Sequence, residues 1–227
     1  MHITRSRKPS VLPRYILHGQ SLTSTPTFKY LGVTINDSLN WNDHVDAIVA
    51  KANRTLGFIW QIAGGASTKA LISLYRSLVL PVLEYGLPAW SPYTASNAAK
   101  LERVQRRASR MCLKQLKGAM PYGDRLQALN WMPLDARRLK HIVSFSIKVL
   151  FNLVDCKSVK DNTAVNTRHQ DSLIFDHHYA RTLTLRNTPS HVFPRIWTSL
   201  PSHLRDSLLI ESFTHFNSRL AAHYHEF

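Results

Sequence analysis

Between Leu101 and Lys117 the chain carries Arg103, Arg106, Arg107, Arg110, Lys114 and Lys117 at helical spacing. A helix would gather these cations on one side and Leu101, Val104, Ala108, Met111 and Cys112 on the other. The chemistry offered is neutralisation of a polyanion: guanidinium and ammonium groups meet phosphate oxygens without reading bases. A merely solvated face would interleave acids with the cations, and Glu102 is the one acid in this stretch. Arg137, Arg138 and Lys140 form a second cationic group.

Other chemistries find less support. Polymerases and many nucleases hold Mg²⁺ between clustered carboxylates, but no two of the 14 Asp and Glu residues are adjacent. Asp43 and Asp46 lie one helical turn apart and read as first-turn residues of a helix. Asp37 reads as a turn residue. His169, His177, His178 and Asp176 lack the spacing and the paired cysteines of a zinc site, so no metal is expected. Gly64-Gly65 lacks the Lys and Ser or Thr of a phosphate-cradling loop. There is no Gly-x-Ser-x-Gly. Cys112 falls on an apolar face, as a core thiol does. Trp90 and Tyr93, ahead of the basic run, could stack on bases.

The charge balance agrees with a polyanionic partner. The 227 residues carry 29 Lys plus Arg against 14 Asp plus Glu, a net charge of +15. Such an excess strains a compact chain by self-repulsion, which points to nucleic acid first and an anionic membrane surface second. A hydrophobic fraction of 44% suffices for a core. Cys112 and Cys156 read as reduced thiols of an intracellular protein, nuclear or cytoplasmic. No secretory leader is read at Met1 to Pro13. Leu71 to Trp90, the most apolar stretch, is interrupted by Arg76, Pro81, Glu84 and Pro88, so no membrane span is expected.

The elements that would position these residues are mainly helical. Arg14 to His18 and Phe28 to Ile35 predict two strands, with Asn36-Asp37-Ser38 as a turn; together they make a β-hairpin or short two-stranded piece. A helix capped by Asn42 or Asp43 carries Val45, Ile48, Val49, Ala52, Leu56 and Ile59 and stops at Gly64-Gly65. A second, capped by Ser67, carries Leu71, Leu74, Tyr75 and Leu78 and is kinked or closed by Pro81. The basic helix spans about Ser96 to Lys117. A short helix over Asp124 to Leu129 and a long one from about Leu134 to Val154 follow. Residues 155–170 turn polar and read as a linker. The residues after 170 form a small helical unit anchored by Phe193, Ile196, Trp197, Leu200, Leu208, Phe213, Phe216 and Leu220.

In order along the chain, Phe28-Lys29-Tyr30-Leu31-Gly32-Val33-Thr34-Ile35 is followed by Trp41 and His44. Then come Leu74-Tyr75, Pro81, Glu84-Tyr85 and Trp90-Ser91-Pro92, and next Leu101-Glu102-x-Val104-Gln105-Arg106-Arg107-Ala108. After these stand Arg125-Leu126, Leu129, Leu134 and Arg137-Arg138, and finally Phe193-Pro194-Arg195-x-Trp197-x-x-Leu200-Pro201. This series resembles the C-terminal part of the reverse transcriptase of non-LTR retrotransposons, of the jockey-like and chicken-repeat kind. Thr198 and Thr214 depart from the Asn and Lys common in that family at those places.

The resemblance implies a fragment of an RNA-directed DNA polymerase. Residues 1–40 would be the end of the palm, 41–154 a basic helical thumb-like bundle, 155–170 the linker and 171–227 a small C-terminal α unit. Tyr30, Leu31, Gly32 and Val33 would lie on a primer-grip-like strand at the floor near the primer terminus. The cations would contact an RNA–DNA hybrid or duplex without sequence specificity. The paired aspartates of the palm and the endonuclease are not among these residues. The family enzyme's Mg²⁺ therefore has no ligands here, no catalytic residue or cofactor is expected, and the chain alone should be inactive. Alternatives are a helical interaction module that docks an acidic protein, and a decayed remnant of an element.

Overall fold

The computed structural model describes residues 14–115, 119–150, 152–156, 180, 182–205, 216, 218–220 and 222–223. Lys117, the histidines at 169, 177 and 178, Phe213 and nearly all of 155–170 lie outside the described residues. The fold is mainly α, with short β-hairpins preceding a helical bundle.

The first predicted strand is one arm of a hairpin, and the second is a whole hairpin. Strands β1 (Ile16–Leu17) and β2 (Gln20–Ser21) pair antiparallel, as do β3 (Thr27–Tyr30) and β4 (Val33–Asn36). The run from Phe28 to Ile35 therefore does not continue straight; it folds back at Leu31 and Gly32, with φ of +45° and +84°. A two-residue loop with both residues left-handed matches the natural twist of paired strands. A leucine at the first position hides that turn from a reading of residue types. Gly32 answers both to its φ and to the Tyr85 ring: a Cβ there would lie 3.2 Å from Cε1. The Tyr85 hydroxyl in turn donates to the Leu31 carbonyl at 3.1 Å.

Helix α1 (Asn42–Ala63) buries His44, Val45, Ala52, Leu56 and Ile59. Neither Asn42 nor Asp43 caps it; the N-cap is Trp41, without a side-chain bond. Tertiary partners take both side chains instead. Asn97 Nδ2 donates to Asn42 Oδ1 at 2.9 Å, and Asn36 Nδ2 donates to Asp43 Oδ2 at 3.2 Å. Ser67 does cap α2 (Thr68–Leu74), accepting the Ala70 N–H at 3.3 Å.

Pro81 does not end that helix. α2 runs through a π turn (Tyr75–Val79) into α3 (Leu80–Glu84). Proline lacks an N–H and crowds the carbonyl four residues back, which is Ser77, inside the wider turn that makes room. The same turn changes which residues are buried. Leu71, Tyr75, Val79 and Leu83 point inward at a constant four-residue step, and Leu78 is 45% exposed. A regular α-helix would carry a four-residue series gradually around its axis; the wide turn brings the series back.

After Gly86, α4 (Leu87–Trp90) seats Trp90 in the core. The indole N–H donates to the Tyr85 carbonyl at 2.7 Å, and the ring meets His44 edge-on at 4.7 Å. Trp90 is therefore a packing residue and not a platform for bases. Helix α5 (Ala95–Cys112) is capped by Thr94 and buries Leu101, Val104, Ala108 and Cys112. It stops at Cys112, short of Lys117, because the chain turns left-handed at Lys114 (φ +52°). Met111 is half-buried.

Helices α6 (Tyr122–Leu129) and α7 (Leu134–Leu150) follow. The long helix ends at Leu150, ahead of the predicted Val154. Helices α8 (Leu183–Arg186) and α9 (Pro189–Ser199) belong to the tail. One apolar cluster joins α1 to α6 and reaches Leu134. A second joins Val143 and Ile147 of α7 to Phe193, Trp197, Leu200, Phe216 and Leu220. Helix α7 thus contributes to both. Among the described residues no helix is long and apolar enough to cross a membrane, and no group of His, Cys, Asp and Glu is placed to hold a metal.

Candidate functional site

The cations of α5 spread over three directions. Toward α1, Lys100 pairs with Asp46 at 2.5 Å and Arg107 donates to Asn53 Oδ1 at 3.2 Å. Toward α6, the Arg106 guanidinium lies 4.7 Å from the centroid of the Tyr122 ring. Outward, Arg103 is exposed, and neither it nor Arg110 has a side-chain hydrogen bond or ion pair among the described residues. Past the helix end, Lys114 Nζ donates to the Gly65 carbonyl at 3.3 Å. Apart from Asp46, these partners are neutral, so the positive charge persists.

Glu102 does not offset it. Its carboxylate accepts a hydrogen bond from the Tyr122 hydroxyl between α5 and α6. Burial raises its pKa, with a further push from Asp135, against the Tyr122 hydrogen bond and the Arg138 charge. Behind the same ring, the Arg125 guanidinium is buried, donating from Nε to Ser109 Oγ at 3.1 Å and to the Met120 carbonyl. Burial lowers its pKa, and Arg110 and Arg106 lower it further, so the cations here feel one another.

The second cationic group is turned inward. Arg137 grips Glu84 through Nε and Nη2, and His141 Nε2 stands 3.4 Å from the same carboxylate. Arg138 is buried, held near Asp135 and Glu102, so it is not on a surface where a phosphate would meet it. Lys140 is half-buried; burial and then Arg137 lower its pKa. A helical wheel places Arg137 and Arg138 correctly on α7 but cannot show that Glu84 and Glu102 come to meet them.

Residue spacing misses a third group. Between the β3–β4 hairpin, α1 and α3 lies a cleft of about 550 Å³ lined by Lys29, Gly32, Thr34, His44, Lys51, Arg54 and Tyr85, among others, with no carboxylate in its walls among the described residues. Lys51 and Arg54 are three apart, hence on one side of α1, and Lys29 stands on β3. Gly32 of the expected strand Tyr30 to Val33 does line this cleft. His44 is buried and accepts the Thr34 N–H on Nδ1 at 3.2 Å. Burial, then the Lys29 charge, lowers its pKa, so the imidazole stays neutral among cations.

No family model matches the chain, and no solved structure matches it. Among curated proteins, 124 residues are 25% identical to the RNA-directed DNA polymerase from mobile element jockey of Drosophila melanogaster. The chain is similar to a mobile-element polymerase. The match takes in 53% of this chain and 13% of that protein. It agrees with the resemblance to jockey-like reverse transcriptases carried by the sequence motifs.

Cys112 takes no part in chemistry: it is fully buried, and burial pushes its thiol up to about 12.

Proposed function

We propose that this chain is the nucleic-acid-gripping, thumb-like part of a non-LTR retrotransposon reverse transcriptase. In this reading α5 lies along an RNA–DNA hybrid or duplex and neutralises phosphates with Arg103, Arg106, Arg107, Arg110 and Lys114. The hairpin tip at Tyr30 to Val33, with Lys29, Lys51 and Arg54 in the cleft behind it, holds the backbone near the primer end. The contacts position the duplex and carry no sequence information. The observation that supports this most is the direction of Glu102. The one acid of α5 is drawn onto Tyr122, which leaves the outer side uncompensated.

A salt titration of duplex binding tests the reading. With about five phosphates neutralised, log K falls against log salt with a slope of roughly −4 to −5. Replacing Arg103, Arg107, Arg110 and Lys114 together by Ala should flatten it by about 3. The fold should survive, since all four side chains lie off the apolar face and the two bonds lost, to Asn53 and to the Gly65 carbonyl, are exposed. An unchanged slope in that variant places the contacts elsewhere, and a wild-type chain that binds no duplex overturns the proposal.

A further inference from the structure

The C-terminal halves of α1 and α5 enclose a pocket of about 360 Å³, lined by Leu56, Trp60, Arg107, Arg110, Met111, Lys114 and Gln115. Its composition is unusual for a packing gap. Trp60 is 50% exposed although it sits beside a core helix residue, Leu56, that is 1% exposed. Three cations and no acid share the lining among the described residues. The indole lies close over Gly64, where a Cβ would come within 3.2 Å of Trp60 Cδ2 and 3.4 Å of Cε3. Lys114 ties the end of α5 to the Gly65 carbonyl, which closes the same corner. Gln115 at the same edge is fixed by its amide nitrogen, which donates to Met120 Sδ at 3.6 Å.

A half-exposed indole beside a row of cations makes up the parts that recognise a nucleotide. An aromatic face takes a base, and guanidinium and ammonium groups take its phosphate. A paired base inside a duplex cannot present its face to the ring. We therefore infer that this pocket is a subsite for one unpaired nucleotide, with its base on Trp60 and its phosphate on Arg107, Arg110 and Lys114. The inference rests on the proposed grip of α5 on phosphates and adds to it a preference for a duplex with a single-stranded extension.

The test compares fluorescence-anisotropy binding of a blunt duplex, the same duplex with a four-nucleotide overhang, and a 2-aminopurine overhang whose emission reports stacking. The probes meet the full chain, the Trp60→Leu variant and the Trp60→Phe variant. Wild type should bind the overhang form more tightly than the blunt form and quench 2-aminopurine. Trp60→Leu should lose affinity for the overhang by on the order of 10-fold and leave the blunt duplex unchanged, and Trp60→Phe should retain most of both. Equal binding of the overhang by wild type and Trp60→Leu overturns the subsite while leaving the duplex grip in place. So does an equal loss on both duplexes, which would make Trp60 structural only. Wild type that binds neither duplex, or binds anionic lipid vesicles in their stead, overturns the grip and the subsite together.

Discussion

Arg137 holds Glu84 from both edges of the carboxylate, joining α7 to the end of α3 across 53 residues of chain. Burial pushes the Glu84 carboxyl up, but hydrogen bonds and charge from Arg137 and His141 outweigh it, and the net shift is downward. The pair is partly shielded from water, with 12% of the Glu84 and 30% of the Arg137 side chain exposed. Replacing Arg137 by Met leaves a carboxylate in that setting, which should cost about 2–4 kcal/mol at neutral pH by urea unfolding.

The same pair sets an acid limit. An acid whose folded pKa is depressed contributes stability above its unfolded value, and that contribution fades as pH falls toward the folded one. Wild type should therefore weaken progressively as the pH falls below 4.5, the ordinary value from which Glu84 is lowered. The Glu84→Gln variant, already weaker at neutral pH, should lose less over that range. Parallel stability curves for the two proteins would rule out Glu84 as the source.

His44 should act in a higher window. Its pKa is lowered from 6.5, so above that value folded and unfolded forms are both neutral. Below it the unfolded chain takes up a proton that the folded chain refuses, and stability declines until the folded pKa is reached. Protonation would also end the acceptance of the Thr34 N–H that fastens β4 to α1. An NMR titration of the imidazole checks this; a midpoint at or above 6.5 would contradict the burial argument.

Two leucines separate the π turn from a regular helix. Leu83 is 2% exposed and Leu78 is 45% exposed. Leu83→Ala should cost about 2–5 kcal/mol, whereas Leu78→Ala should stay within about 0.5 kcal/mol. Similar costs at both positions would mean that the helix continues in ordinary α geometry.

The 227 residues by themselves should not extend a primer on an RNA template with Mg²⁺ or Mn²⁺. Their carboxylates are scattered, and Glu84 and Glu102 are engaged by Arg137 and Tyr122. Template-dependent extension by the pure chain would show that a metal site forms regardless.

The legible parts of this protein are those governed by local spacing. The stripe Val45, Ala52, Leu56 and Ile59, the Ser67 cap and the two faces of α5 all follow from periodicity and single side-chain bonds. The hairpin at Leu31 and Gly32 was hidden because leucine is not a residue that signals a left-handed turn position. Pro81 was legible as a disturbance of the helix, but the π turn that lets the helix run on through it was not. At the candidate site, charge and amphipathic spacing located the α5 cations. They could not separate Arg103, which stays exposed, from Arg138, which does not, since the difference lies in what packs opposite. The cleft with Lys29, Lys51 and Arg54 needed the hairpin to fold back onto α1 before it existed at all.

Helix α7 is continuous in its hydrogen bonds but divided in its allegiance, with Leu134 in one apolar cluster and Val143 and Ile147 in the other. The opening energy of a backbone amide follows the cooperative unit that must come apart to expose it. When the tail helices lift away, the second half of α7 loses its cover while the first turn stays clamped. Amide exchange should then run at two rates within one unbroken helix, with the step between Leu134 and Val143. The tail's departure would be felt inside the bundle as a fraying helix end and not as a clean separation.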